Sequence, residues 1–376
     1  MTEDSLEQTA AHWSAEAGKG VIGRGRTWLE VPAVRDRIAR MVSGRTEVDA
    51  YHWLSEWLAQ RQLHKPLERV LSLGCGAGDL ERRLFREGIA RSYEGIDVAP
   101  AAIERARSAA GALGSADIQY RVADINKLEL AAQHYDAVFC HMSAHHFANL
   151  EGIFAQVHRC LKPGGFFFLD EYVGARQFQW SQRQVELIDL LRRYLPDQWV
   201  RTAEGDFLRS FRAPTVEELV AVDPTEAIRS DEILDVVAKH FVVTEFRGYG
   251  GNVLHGLLDH IGVNYVEDEA QAKAMLETFM ALEDWALKHG VVEHDFAVIV
   301  AVRPEDLGRP PGLAYPVTTG SDSTPGQELQ ALRLQNANLQ AQTQALLAET
   351  QALRASTSWR LTAPLRALVQ RIRPPH

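Results

Sequence analysis

The chain has 376 residues, of which 46% are hydrophobic and 24% are charged, and its formal net charge is -10. This composition is typical of a folded globular protein and excludes a wholly disordered chain. The acidic balance argues against nucleic acid as a partner. Three cysteines without a CxxC spacing, Cys75, Cys140 and Cys160, argue against a disulfide framework or a zinc knuckle. Without a long apolar run or a basic, apolar leader, the chain is expected to be cytoplasmic.

Residues 1–65 have the pattern of amphipathic helices with scattered aromatic side chains, and we interpret them as an N-terminal helical lid. From 66 to 303, short apolar runs alternate with helical patterns, which predicts βαβ units and a parallel sheet covered by helices on both faces. The expected strands are 70–73, one ending at Asp97, 117–122, 135–140, 166–169, 241–246 and 296–302. The expected helices are near 79–87, 100–110, 150–161 and 230–240. Insertions at 171–229 and 250–290 are predicted to form a cap that faces the substrate.

A glycine cluster, Gly74-Cys75-Gly76-Ala77-Gly78, directly follows the first predicted strand and precedes a helix. Glycines at such a turn let a ligand approach the backbone closely, because no Cβ stands in the way. A dinucleotide fingerprint would require glycine at position 79, where the chain has Asp79. A NAD-dependent dehydrogenase is therefore the poorer interpretation.

Acidic residues end the next two strands. Asp97 can accept hydrogen bonds from both hydroxyls of a ribose, which would orient a nucleoside. Asp124 is placed to accept from an adenine amino group, with Ile125 against the ring. Either acid alone could equally cap a helix. Together, at successive strand ends beside the glycine loop, they favour a nucleoside site.

These motifs, with Tyr135-Asp136-Ala137-Val138 and Leu161-Lys162-Pro163-Gly164-Gly165, resemble the ordered motif series of class I S-adenosylmethionine (SAM)-dependent methyltransferases. The resemblance covers about residues 69 to 170. It implies an α/β, Rossmann-like seven-stranded sheet whose last strand, 296–302, is antiparallel, and SAM as the cofactor. The residues then expected to bind SAM are Gly74, Cys75, Gly76, Gly78, Asp97, Val98, Asp124, Ile125 and His141. Ser72 stands where the family often has an acid, which puts a supporting hydrogen bond to the loop in doubt.

Methyl transfer to a hydroxyl requires positioning of two reactants and removal of a proton. Histidine is the usual base at neutral pH, and the segment after the fourth strand contains three. We expect His145 to be the base, with His141 and His146 as alternatives; packing or helix capping is an equally good interpretation of each. A metal site is not expected, because ligation by adjacent His145 and His146 is awkward and spacing fixes no carboxylate near them.

The acceptor side is expected to involve Glu171, Tyr172 and Arg176, which follow the fifth strand. Carboxylates and aromatic faces suit sugar hydroxyls and rings, as well as many other small molecules. Segment 19–45 has an excess of arginine and lysine. It could hold a phosphate-bearing acceptor, or it could be a solvated helix face.

The C-terminal region has a different organisation. Residues 304–326 have the Pro, Gly, Ser and Thr content of a linker. Leucines recur every seven residues over 327–355, which predicts a parallel coiled coil and hence a homodimer; a single solvated helix is the alternative.

Residues 356–376 combine an apolar helical face with four arginines and no acid, the pattern of an amphipathic helix on an anionic membrane surface. Docking of this tail on the acidic body of the chain is the other interpretation.

The ending Ser358-Trp359-Arg360-Leu361-Thr362-Ala363-Pro364 is similar to the tail of bacterial glycosyltransferases and methyltransferases of cell-surface polysaccharide assembly. That resemblance covers little more than ten residues and implies an enzyme of O-antigen or capsule synthesis, beside glycosyltransferases on the inner face of the cell membrane. The sequence thus predicts a SAM-dependent methyltransferase that O-methylates a sugar or saccharide intermediate. The alternatives are methylation of an unrelated small metabolite and a non-catalytic SAM-binding scaffold.

Overall fold

The computed structural model describes residues 3–18, 27–61, 63, 66–114, 117–267 and 269–307. The chain divides into two units, 1–316 and 317–376, and every described residue belongs to the first. The predicted coiled coil at 327–355, the tail at 356–376 and nearly all of the predicted linker lie outside the described residues. No described helix has the length and apolar character needed to cross a membrane.

Seven strands form one sheet. They are β1 (Leu67–Leu73), β2 (Ala90–Asp97), β3 (Ile118–Val122), β4 (Tyr135–His141), β5 (Leu161–Tyr172), β6 (Val242–Gly250) and β7 (Phe296–Val302). Their order across the sheet is β3-β2-β1-β4-β5-β7-β6. Strands β1 to β5 pair in parallel, whereas β7 runs antiparallel to both β5 and β6. The predicted seven-stranded sheet with an antiparallel last strand is therefore confirmed.

Eleven α-helices lie in the described part of the chain. They are α1 (Glu3–Gly18), α2 (Pro32–Ser43), α3 (Ala50–Gln60), α4 (Asp79–Arg86), α5 (Pro100–Ala112), α6 (Leu150–Cys160), α7 (Gln182–Tyr194), α8 (Val216–Val222), α9 (Ile233–His240), α10 (Leu254–Leu258) and α11 (Ala270–Lys288). Helices α7 and α8 occupy the first predicted insertion, and α10 and α11 occupy the second.

The two faces of the sheet bury separate cores because successive side chains of a strand point to opposite faces. Val70 of β1 packs with residues of α3, α4 and α5, whereas its neighbour Leu71 packs with residues of α6 and α9. Strand β7 lies between two other strands and is buried at every position. A strand covered on both faces reads as a continuous apolar run, which is why 296–302 was predictable to the residue.

One local prediction was wrong. The fifth strand was expected to begin at residue 166, but β5 begins at Leu161 and therefore includes residues 162–165. The pairing of β5 with β4 is irregular between Tyr135 and Ala137, and Gly164 has a φ of 81°. A glycine-containing bulge thus lets the strand continue through residues that would ordinarily end it.

The N-terminal helices are tied to the insertions by buried polar contacts. Arg37 of α2 lies 2.9 Å from Glu283 of α11, and both side chains are buried. Glu283 also accepts hydrogen bonds from the backbone N–H groups of Val253 and Leu254 at the start of α10. Arg37 therefore has a structural role in this part of the chain, although it belongs to the basic segment considered for phosphate binding. Lys19, Arg24 and Arg26 of that segment lie outside the described residues.

Candidate active site

A cavity of about 730 Å³ lies at the carboxyl ends of the parallel strands, the edge at which open α/β sheets bind their ligands. Its floor comes from the ends of β1, β2 and β4 and from the residues after β3. Helices α1 and α3 and the turn at 27–30 add the remaining wall, through Leu6, Thr9, Trp13, Thr27, Leu29 and Tyr51. A second depression, of about 750 Å³, lies near the amino ends of the strands around Arg69 and His134. Open α/β sheets bind their ligands at the opposite, carboxyl edge.

The glycine loop after β1 has a conformation that requires glycine. Gly74 and Gly78 have φ angles of 71° and 74°, and a Cβ on either would overlap Ser143 or Tyr120, respectively. The Tyr120 hydroxyl donates a 3.0 Å hydrogen bond to the Gly78 carbonyl and thereby supports the loop from β3. The backbone of this loop is therefore part of the cavity wall, where a ligand can approach it closely.

Asp97 connects this loop to the end of β2. Its Oδ2 accepts from the N–H of Gly76 at 2.8 Å, and its Oδ1 accepts from the N–H of Ala99 at 2.9 Å. Burial raises the pKa of Asp97 above its ordinary value, although these backbone donors oppose the shift. Each carboxylate oxygen has a further acceptor position, so hydroxyl donors in the cavity would stabilise the charged form.

Asp124 both caps a turn and lines the cavity. It precedes the short 3-10 helix Ile125–Lys127 and accepts from the N–H of Asn126 at 3.0 Å. The capping role considered from the sequence is therefore present. Asp124, Ile125 and Asn126 also form part of the cavity wall, so the two roles coexist.

The cavity gathers the residues predicted to bind SAM. Its lining includes Gly74, Cys75, Gly76, Asp97, Val98, Asp124, Ile125 and His141, whereas Gly78 shapes the loop from behind. Of the three candidate bases, His141 and His146 line the cavity. His145, the preferred one, does not appear in the lining.

The three predicted acceptor-binding residues also lie outside the lining. Glu171 is fully buried and accepts from the backbone N–H groups of Ser143 and Ala144 at 2.9 and 2.6 Å. Tyr172 donates to the carbonyl of Ala175, and Arg176 forms ion pairs with Asp231 and Glu232. These residues hold the loop and the cap together and do not face the cavity.

His141 is set in a polar network that includes α3. Its Nδ1 lies 2.7 Å from the Tyr51 hydroxyl and 3.4 Å from Oδ2 of Asp170. The Tyr249 hydroxyl donates to Oδ1 of Asp170 at 2.7 Å. Burial lowers the pKa of His141, but Asp170, together with the more weakly acting Glu171 and Glu81, raises it, so the pKa lies above its ordinary value. Because 44% of the side chain is exposed, the imidazole is accessible from the cavity that it lines.

His145 and His146 lie side by side in a short 3-10 turn, Ala144–His146. His145 Nδ1 bonds to Glu171, and His146 Nδ1 lies 3.0 Å from the Thr225 hydroxyl. Burial lowers the pKa of both imidazoles. Glu171, with smaller effects of Glu226 and Asp223, outweighs burial and raises the pKa of His145. The neighbouring His145 lowers the pKa of His146 further.

Sequence reasoning missed a buried carboxylate in the cavity wall. Glu81 of α4 is only 1% exposed, and its Oε2 forms no hydrogen bond within the described residues. The nearby wall residue Ser72 has a hydroxyl in the same condition. Burial raises the pKa of Glu81 to about 7, although the neighbouring Ser72 hydroxyl opposes this rise. The only sequence signal was the absence of an acid at position 72.

Comparison with known proteins identifies the central segment. Residues 71–169 match the family model of the methyltransferase domain. This segment is a methyltransferase domain, in agreement with the motif series found at about 69–170. It supplies the glycine loop, Asp97, Asp124 and all three candidate bases.

Curated relatives match a stretch of the chain of about the same length. A ubiquinone biosynthesis O-methyltransferase of Paracidovorax citrulli is 34% identical over 101 residues, which are 27% of this chain and 42% of the relative. A sterol 24-C-methyltransferase of Yarrowia lipolytica is 29% identical over 126 residues, 33% of each chain. This chain thus spans less than half the length of either relative.

Solved structures align over more of this chain, at lower sequence identity. A SAM-dependent methyltransferase from Mesorhizobium loti is 21% identical and aligns over 66% of this chain and 98% of its own, with a TM-score of 0.36. Geranyl diphosphate C-methyltransferase from Streptomyces coelicolor is 14% identical and aligns over 80% and 97%, with a TM-score of 0.44.

Proposed function

We propose that this chain transfers the methyl group of SAM to a hydroxyl of a small acceptor bound in the same cavity. The observation that carries the proposal is the convergence of the glycine loop, Asp97, Asp124 and His141 in one cavity of a methyltransferase domain. SAM would supply an electrophilic methyl group on a sulfonium sulfur. The chain would bind both reactants, align them and accept the proton of the acceptor.

The residues of the cavity fit the separate parts of SAM. Asp97 has acceptor positions left for the ribose hydroxyls, and Ile125 offers an apolar surface to the adenine beside Asp124. Glu81 is a buried carboxylate whose Oε2 has no hydrogen-bond partner among the described residues. A buried carboxylate is costly unless it is paired with a cation. We therefore assign Glu81, with Ser72, to the α-ammonium group of SAM.

His141 is the base in this proposal, in place of His145. Tyr51 and Asp170 both lie beside Nδ1, so the tautomer that suits them carries its proton on Nδ1. Nε2 is then left as the proton acceptor, and no hydrogen bond occupies it within the described residues. The raised pKa makes His141 a stronger base, at the expense of a smaller neutral fraction near pH 7.

Two acceptor classes remain in the proposal. A saccharide hydroxyl is supported by the resemblance of the tail at 356–376, whereas Glu171, Tyr172 and Arg176 add no support because they do not line the cavity. An apolar or aromatic alcohol is favoured by the wall that α1 and the turn at 27–30 contribute, which includes Leu6, Trp13 and Leu29. Apolar side chains of this kind stabilise apolar ligands by excluding water.

The test is in two steps. Calorimetric titration of the full chain with SAM, S-adenosylhomocysteine and NAD should show binding of the first two alone; failure of SAM to bind would contradict the proposal. Transfer of a labelled methyl group is then measured to nucleotide sugars, to lipid-linked saccharides and to phenolic or isoprenoid alcohols. The class that accepts label decides between the two acceptor proposals. SAM binding with no transfer to any of them would favour the non-catalytic scaffold.

A further inference from the structure

We propose that His145, His146 and Glu226 form a binding site for a divalent transition-metal ion of the zinc type, beside the cavity. Glu226 lies in the cap, 80 residues from His146 in the sequence. Its Oε1 is 3.7 Å from Nε2 of His145, and its Oε2 is 3.9 Å from Nε2 of His146. One ligand atom from each of the three residues lies within 4.8 Å of the other two.

These separations are too long for hydrogen bonds. Two ligand atoms about 2.1 Å from a tetrahedral ion are roughly 3.4 Å apart. A contraction of some tenths of an ångström between Glu226 and each histidine would therefore bring the carboxylate to coordination distance. The ligand atoms of the three residues are at most 4.8 Å apart, so any other pair would have to contract by no more than about 1.4 Å.

Hydrogen bonds to His145 and His146 determine which ring nitrogen of each carries the proton, and hence which one presents a lone pair to Glu226. The Thr225 hydroxyl donates its proton to Oδ1 of Asp223 at 2.8 Å, so it accepts from Nδ1–H of His146. The carboxylate of Glu171 can only accept, so Nδ1 of His145 donates to it. In the neutral imidazoles, both Nε2 atoms then present lone pairs toward Glu226.

When both imidazoles are neutral, these three acceptor groups converge without a donor between them and repel one another. A cation placed among them removes this repulsion and uses all three as ligands. Histidine ligands of metals usually donate their other ring N–H to a carboxylate or another acceptor, which fixes the ring. Glu171 and Thr225 supply those acceptors here. This second set of contacts is independent of the convergence of the three ligand atoms.

The donor set indicates the class of ion. Two imidazole nitrogens and one carboxylate oxygen suit zinc and related first-row ions, with a fourth position left open. His146 and Thr225 line the cavity, so an oxygen atom of a bound acceptor could take that position. From the sequence no metal was expected, because spacing places no carboxylate near the histidines. In the fold, the cap supplies that carboxylate, Glu226.

The test uses the full chain, stripped of metal by a chelator and titrated with Zn²⁺ by calorimetry and with Co²⁺ by visible absorption. One equivalent of Zn²⁺ and the Co²⁺ absorption bands of a low-coordinate site are expected. Glu226→Gln and His146→Ala should each weaken binding by about 100-fold or more. Thr225→Val removes the acceptor for His146 Nδ1 but no ligand, and should weaken binding about 10- to 100-fold.

The matched controls are His158→Ala and Glu305→Gln, since this pair lies 3.3 Å apart elsewhere on the molecule. They should bind Zn²⁺ as the unaltered chain does. Circular dichroism and SAM titration of each variant show that it is folded, and they separate failure of the metal site from failure of the proposed methyltransferase function. No stoichiometric Zn²⁺ binding, or unchanged binding by folded Glu226→Gln, would overturn the proposal.

Discussion

The hydroxyl of Tyr51 lies 2.7 Å from Nδ1 of His141. Tyr51 is thus a residue of the site that lies outside the matched methyltransferase segment. Asp170 is 3.4 Å from the Tyr51 hydroxyl and 3.4 Å from the same imidazole nitrogen. Helix α3 therefore participates in orienting the candidate base, in addition to packing against the sheet. This relationship leads to two predictions about proton transfer.

His141→Ala should lower kcat by about 10²- to 10⁴-fold, the usual contribution of a general base. The affinity for SAM should change much less, because Asp97, Glu81 and the glycine loop remain. Steady-state kinetics and SAM titration measure the two effects separately. His289→Ala, an exposed histidine of the loop after α11, is the control and should behave as the unaltered chain. Full activity in His141→Ala would show that another group removes the proton.

Asp170→Asn should shift the acidic limb of the pH–rate profile to lower pH. Burial lowers the pKa of His141 and Asp170 raises it, with a net raised value, so removing the carboxylate lets the pKa fall. Catalysis by the neutral imidazole would then persist to more acidic pH. The measurement is kcat between pH 5 and 9 for both proteins. A limb that stays in place would mean that the titrating group is not His141.

Glu81→Gln should weaken SAM binding by about 10- to 100-fold, the range expected when a buried charge-assisted hydrogen bond is lost. The α-ammonium group would favour the ionised form of Glu81, whose pKa burial raises to about 7 in the ligand-free protein. SAM binding near pH 7 should therefore release a proton. Calorimetry in buffers of different ionisation enthalpy detects this release, which Glu81→Gln should abolish.

The raised pKa of Glu81 should also make the stability of the ligand-free protein depend on pH. The pKa of this carboxyl group rises from the unfolded value of 4.5 to about 7 on folding, so the folded state binds more protons between these values. The free energy of unfolding should fall as pH rises through that window, and Glu81→Gln should remove this component. Burial also raises the pKa of Asp295 to about 7, so Asp295→Asn is the matched control. It should remove its own component of the pH dependence without affecting proton release by SAM.

Trp13→Phe should loosen α1 over the cavity. The indole Nε1 donates to Oδ2 of Asp223 at 2.9 Å, next to the 2.8 Å bond from the Thr9 hydroxyl to Oδ1. Loss of this bond should reduce the local stability of α1 by about 1 kcal/mol. Hydrogen exchange of residues 4–18 should become faster while the sheet is unchanged. Trp285→Phe is the control, since Trp285 lies on the exposed face of α11 and 54% of it is exposed. Unaltered exchange in α1 would show that Asp223 does not hold it in place.

Much of the fold followed from the sequence because its signals are local. A continuous apolar run predicted β7 to the residue, and the order of β1 to β5 around the glycine loop predicted the parallel part of the sheet. Residues at the carboxyl ends of adjacent parallel strands necessarily share an edge. For this reason the sequence alone assigns Asp97, Asp124 and the loop to one site.

The tertiary structure alone decided which side chains face the cavity and which partners they have. Segment 141–146 contains three histidines, between the end of β4 and the turn that follows it. Only the packing of α3 places Tyr51 beside His141. Only the packing of β5 and the cap places Glu171 and Glu226 beside His145. Glu81 looked like an ordinary helical acid until its burial was known. The sequence determines the position of a residue within its helix or strand. The direction of the side chain and its partners depend on contacts between residues that are distant in the chain, and those contacts form only when the fold is complete.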